Sequence, residues 1–110
     1  MSAARSPQGA RAALALEGEL TIYGAAELQT RLVAALADAP EGLDIDLAGV
    51  TELDSAGVQL LMATHRAARA SGRTVTLRAP SDAVRDVIEL FDLASFFDIA
   101  TAASPQGEPA

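Results

Sequence analysis

A chain of 110 residues, half of them hydrophobic and only 4% aromatic, can bury one core built from Ala, Leu, Val and Ile, and not two. The formal charge of -7 and a basic set made entirely of arginine argue against a nucleic-acid partner, which needs a basic stripe, and exclude a P-loop, a Schiff base and a lysine-assisted phospho-aspartate site. With no cysteine and one histidine no zinc, other metal or thiol chemistry is expected, and no apolar run approaches the roughly 18 residues of a membrane span.

The first ten residues, "MSAARSPQGA", lack the apolar core of a signal peptide, and "TAASPQGEPA" closes the chain with the same Ala, Ser, Pro and Gly. Residues 1–10 and 101–110 are therefore expected to be flexible tails around one domain at 11–100. A soluble cytoplasmic protein that needs no cofactor is the expectation. Within the domain, "RAALALEGELTIYG" reads as two short strands forming a hairpin around Glu17-Gly18, from the alternation of Leu14 and Leu16 and then Leu20 and Ile22. "AAELQTRLVAALADAPEG" sets Leu28, Leu32, Ala35 and Leu36 on one helical face, supports Glu27 with Arg31 four residues on, and stops at Pro40 and Gly42.

"LDIDLAGV" alternates apolar and acidic residues, as a strand with one wet face does, and a helix from about Ala56 to Ser71 follows, closed by Gly72. "GRTVTLRAP" is a further strand. "SDAVRDVIELF" is a helix whose stripe is Val84, Val87, Ile88 and Phe91, with Ser81 as N-cap, and "SFFDI" adds a last short strand. The order β-β-α-β-α-β-α-β implies a single small α/β domain, a mixed sheet covered by helices.

The stretch "TELDSAGVQLL" joins the acidic strand to the second helix and puts Ser55 at the turn. Ser55 or Asp54 can cap the helix by accepting free amide hydrogens. A nucleophilic Ser55 needs a base, and the only imidazole, His65, lies ten residues along the same helix, about 15 Å away. The G-x-S-x-G elbow is missing too, because Leu53 and Gly57 stand where two glycines are needed. Asp44 and Asp46, two apart on a strand, read as a solvated face rather than as an acid and base pair. The third reading is modification. At about 100° per residue, Ser55, Gln59, Met62, Arg66 and Arg69 fall on one side of the helix and Leu60, Leu61, Thr64, Ala67 and Ala68 on the other, with Val58 and His65 at the boundary. Ser55 then faces outward, Met62 is an apolar residue with no core to fill and so a contact for a partner, and His65 is a half-buried surface residue.

With "GELTIYGAAEL", "LDIDLAGVTELDSAGVQLL" and "APSDAVRDVIELFDLASFFDI" in this order, residues 11–100 resemble a STAS domain, the fold of bacterial anti-sigma factor antagonists. The resemblance implies a binding module, not an enzyme, whose D-S-x-G serine is phosphorylated by a partner. That serine matches Ser55, flanked by Asp54 and Gly57, while Ala56 stands where many members carry Ser or Thr. The implied partner is an anti-sigma factor that is also a serine kinase of the ATPase-like type, with a PP2C-type phosphatase resetting the switch. The stripe of Val58, Gln59, Met62 and Arg66 would help hold it. Related STAS domains serve chemotaxis or two-component modules, or bind the ATPase of lipid-transport ABC systems through a comparable helix start.

Overall fold

The structure, a computed structural model, describes residues 11–100; the two expected tails lie outside the described residues. The elements in chain order are β1 (Ala12–Leu20), a 3-10 turn (Ile22–Gly24), α1 (Ala25–Ala37), β2 (Leu43–Leu53), α2 (Ser55–Ala70), β3 (Val75–Arg78), α3 (Asp82–Leu90) and β4 (Asp98–Ala100). The four strands form one sheet in the order β1-β2-β3-β4, and every adjacent pair is parallel.

The expected hairpin is absent, and with it the only antiparallel pair of a mixed sheet. Glu17 and Gly18 do not turn the chain back: residues 12–20 are one continuous strand. Gly18 has the left-handed φ of 76°, as a turn would need. Here it sits beside one of two register shifts between β1 and β2, after Ala15 and after Gly18. At each shift β2 carries one residue more than β1, so the irregularity is a bulge. A glycine at positive φ serves a turn and a bulge equally. The 11 residues of β2 decide between them by offering a partner along all of β1.

Alternation then builds the core. Leu16 and Leu20 of β1, Leu43, Ile45 and Leu47 of β2, and Val75 and Leu77 of β3 are buried, and they share one cluster with Leu28, Leu32 and Leu36 of α1, Leu61 of α2, and Val84 and Ile88 of α3. All three helices therefore cover the same apolar side. The other sheet side carries the exposed Ala13, Ala15, Asp46 and Arg78. Across that side, Arg11 donates from Nε to the Asp44 carboxylate at 2.7 Å and from its terminal nitrogens to the Thr74 and Thr76 hydroxyls. Asp44 is thus an ion-paired strand residue, separate in role from Asp46, whose carboxylate accepts from the Ala48 amide.

The helix ends follow local rules. The Ser81 hydroxyl accepts from the Val84 amide, as its cap position implies. Gly72, at φ 76°, ends α2 while the Arg73 amide donates back to the Ala68 carbonyl at 2.8 Å, a Schellman closure. The expected Glu27–Arg31 pair does not form among the described residues; Arg31 donates to the Ala15 carbonyl instead.

Candidate functional site

Asp54 follows β2 in an extended conformation and is the N-cap of α2, accepting from the Gly57 amide through Oδ1 at 3.1 Å. Its Oδ2 accepts from the Ile22 amide at 2.9 Å, and its own amide donates to the Leu20 carbonyl. One carboxylate thereby ties the start of α2 to the point where β1 hands over to the 3-10 turn. The Ile22 amide, and then that of Gly57, hold the Asp54 carboxyl below the usual carboxylate pKa, because each donor favours the charged form.

Gly57 is buried in the first turn of α2. A Cβ there would lie 2.4 Å from the Leu20 carbonyl oxygen and 2.7 Å from Leu53 Cδ1. The glycine is needed for its lack of a side chain, since it lets α2 start directly over the end of β1. Asp54 and Gly57 thus both have structural duties. Ser55 has none: it is the first residue of α2, it is exposed, and its hydroxyl makes no hydrogen bond among the described residues. Of the two capping residues considered from sequence, Asp54 is the cap.

Beside Ser55 lies a shallow groove lined by Ser55, Val58, Gln59, Met62, Phe91 and Leu93. Its mouth is mainly apolar. Two expectations are corrected here. Val58 is not a surface contact but the buried floor, 7% exposed and part of the core cluster. Met62 does have a core to touch, being half-buried and packed against it, while Gln59 is exposed as expected.

Phe91, taken from sequence as part of the buried α3 stripe, stands just after the helix and is 54% exposed, forming the groove wall opposite α2. Phe91 and Leu93 are the lining residues that the α2 pattern did not reveal. Ile22 and Tyr23, 64% and 96% exposed, stand on the turn that Asp54 holds, so apolar surface also borders the serine there.

Arg66, the last residue of the expected stripe, is exposed but outside this groove. Its guanidinium lies 6.0 Å from the centre of the Phe96 ring, in a second cleft with Arg69. His65 is not a half-buried surface residue. It is 3% exposed, its ring packed 4.9 Å from Phe96 and 5.6 Å from Phe97 between centroids. Ala67, placed on the core side by the wheel, is exposed.

Burial holds the His65 pKa below 6.5; Arg69 and Arg66 lower it further and Asp98 opposes them. The unfolded imidazole takes up a proton near 6.5, whereas the folded one resists it. Folding stability present above pH 6.5 is therefore lost as the pH falls from there towards the lower folded value. A thermal melt series from pH 7.5 to 5 should show the melting temperature of the wild type falling more steeply than that of His65→Gln; parallel curves would contradict the linkage.

No helix among the described residues is long and apolar enough to cross a membrane, and no cluster of three or more His, Cys, Asp or Glu among them is placed to hold a metal ion. A family model described as "Mlab, STAS domain" matches residues 3–99. No curated protein matches the chain. Among solved structures, a Thermotoga maritima protein provisionally assigned as an anti-sigma factor antagonist superposes with a TM-score of 0.70 at 21% identity, over 80% of this chain and 78% of its own. The anti-sigma factor antagonist SpoIIAA in its unphosphorylated form superposes with a TM-score of 0.66 at 24% identity, over 82% of this chain and 79% of its own. At these identities the likeness is one of fold.

Proposed function

The chain belongs to the STAS-domain family, and we propose that it is a non-enzymatic cytoplasmic binding module, an anti-sigma factor antagonist-like switch in which phosphorylation of Ser55 releases a partner. The partner is an anti-sigma factor that is also a serine kinase of the ATPase-like type, and a PP2C-type phosphatase restores the unmodified form. The observation that carries this reading is the division of labour in D-S-A-G: Asp54 and Gly57 are committed to the turn, while the serine is presented free at the rim of an apolar groove.

The physics of a phosphate there is favourable for a switch. It would add about -1.5 to -2 of charge at the first residue of a helix, where the dipole accepts it at a gain of about 0.3–1 kcal/mol, so the fold survives modification. The same charge lands beside the Asp54 carboxylate and the exposed Glu52, on the face a partner must approach. A repulsion of about 1.4 kcal/mol already weakens binding tenfold.

Docking is proposed over Ser55, Gln59 and Met62 with Val58 beneath them and Arg66 at the far end. Gln59→Glu tests the face most cleanly, since Met62 also supports the core. An exposed substitution there should change folding stability by less than about 0.5 kcal/mol, while a buried charge in the contact costs about 1–3 kcal/mol of affinity. Calorimetric titration of the partner against both proteins reads the difference, and equal affinity would remove Gln59 from the interface.

A second reading, an ATPase-binding subunit of a lipid-transport ABC system, is favoured by the groove itself. Val58, Met62, Phe91 and Leu93 offer an apolar contact that needs no phosphate. In that case Ser55 acts only as a contact, and the partner binds while no kinase modifies the serine.

A further inference from the structure

The second cleft, between the C-terminal half of α2 and the turn before β4, is lined by His65, Arg66, Arg69, Ala70, Ser95 and Phe96. Of these residues the proposed docking face uses only Arg66, at its far end. In a chain with 15 acidic and 8 basic residues, an arginine ordinarily finds a carboxylate. Among the described residues, Arg11 pairs with Asp44 and Arg85 with Asp82, and Arg31 and Arg73 are spent on backbone carbonyls. Arg78 of β3 has neither, and the same holds for Arg66 and Arg69, which share the cleft. They stand three residues apart on α2, hence on one side of it, both exposed.

Beneath them His65 is buried, 3% exposed, and among the described residues its Nδ1 has no hydrogen-bond partner. A buried polar atom without a partner is uncommon and costly. The ring is walled by Phe96 and Phe97, which offer only aromatic faces, and Asp98 is the one carboxylate whose charge reaches it. Against that one carboxylate the cleft sets two guanidinium groups that form no ion pair among the described residues.

We propose that this cleft is an anion site for a phosphate group, held in the forks of Arg66 and Arg69 with the Ser95 hydroxyl at its edge and the His65 imidazole as its floor. Two guanidinium groups side by side can each offer paired N–H donors to a tetrahedral oxyanion, and the Phe96 ring under Arg66 keeps one fork from swinging freely. A phosphate seated there places negative charge over His65, which favours the protonated ring. The group can belong to a soluble phosphate ester or to a phospholipid headgroup. The site lies apart from the groove beside Ser55 and is measured without any partner, so it stands or falls independently of the switch.

Because His65 is the only histidine, its imidazole Cε1–H gives one NMR signal that no other histidine overlaps. Inorganic phosphate should be titrated at constant ionic strength into the full chain, with chloride as the control. A saturable movement of that signal and of the Arg66, Arg69 and Ser95 amides is expected, with a rise in the pH midpoint of His65. The Arg66→Gln/Arg69→Gln variant changes only exposed side chains and should bind at least tenfold more weakly. A second arm measures sedimentation with phosphatidylglycerol vesicles: binding that the double variant loses assigns the phosphate to a headgroup, whereas phosphate titration without vesicle binding assigns it to a soluble ester. A movement that is linear, matched by chloride, or unchanged in the double variant overturns the site.

Discussion

Leu61→Ala is expected to destabilise the domain by about 2–5 kcal/mol, the range for truncating a buried leucine. Leu61 is 2% exposed and packs in the one cluster that joins the sheet to all three helices. The upper half of the range is favoured by the core's makeup. With few aromatic residues in the chain, the neighbours are branched aliphatics held between a sheet and helices, and they cannot slide far to fill the space. A domain of this size loses about 4–8 °C of melting temperature per kcal/mol, so a drop of more than 10 °C is expected. The groove side of α2 is unchanged in this variant. Partner affinity, measured well below the melting temperature, should stay at the wild-type level, and a loss of affinity in fully folded protein would contradict the separation of core and docking face.

Gly57→Ala is expected to cost about 1–3 kcal/mol, although alanine is the better helix former by about 0.8–1 kcal/mol. The added methyl meets the Leu20 carbonyl oxygen at 2.4 Å. That oxygen belongs to the backbone of β1 and already accepts from the Asp54 amide. Relief requires α2 to lift from the end of β1, and the lift stretches the Asp54 contacts to Ile22 and Gly57 together. The variant should therefore lose partner binding beyond what unfolding explains, because the Ser55 turn moves. Denaturant unfolding measures the first effect. A variant as stable as the wild type would show that α2 and the end of β1 admit a methyl group at little cost.

Much of this was legible in the sequence because it is local. The Ser81 cap, the Gly72 closure, the leucine stripe of α1 and the alternation of "LDIDLAGV" each depend on residues within a turn or two. The failures are non-local. Gly18 marks a bulge and not a hairpin because β2 pairs with all of β1, which no pattern inside residues 11–24 discloses. Val58 and His65 sat at the edge of a helical wheel, and the wheel cannot know that Val58 joins the core cluster or that Phe96 and Phe97 pack on the His65 ring. Phe91 and Leu93, two of the six residues lining the groove, come from the chain just before Phe96, far beyond the serine motif. Phe91 carried the right kind of signal, an apolar residue on a helical stripe, and ended outside the core because α3 stops one residue before it.

The most direct test of the switch is the site of phosphorylation. The wild type and Ser55→Ala should be incubated with ATP and the cognate kinase, and their intact masses and phosphopeptides compared. Ser55→Ala should fold within about 0.5 kcal/mol of the wild type, since Asp54 and not the serine caps α2. The expected result is one added phosphate on Ser55 in the wild type and none in the variant; equal labelling of both proteins, or a phosphate mapped to another residue, would contradict the switch.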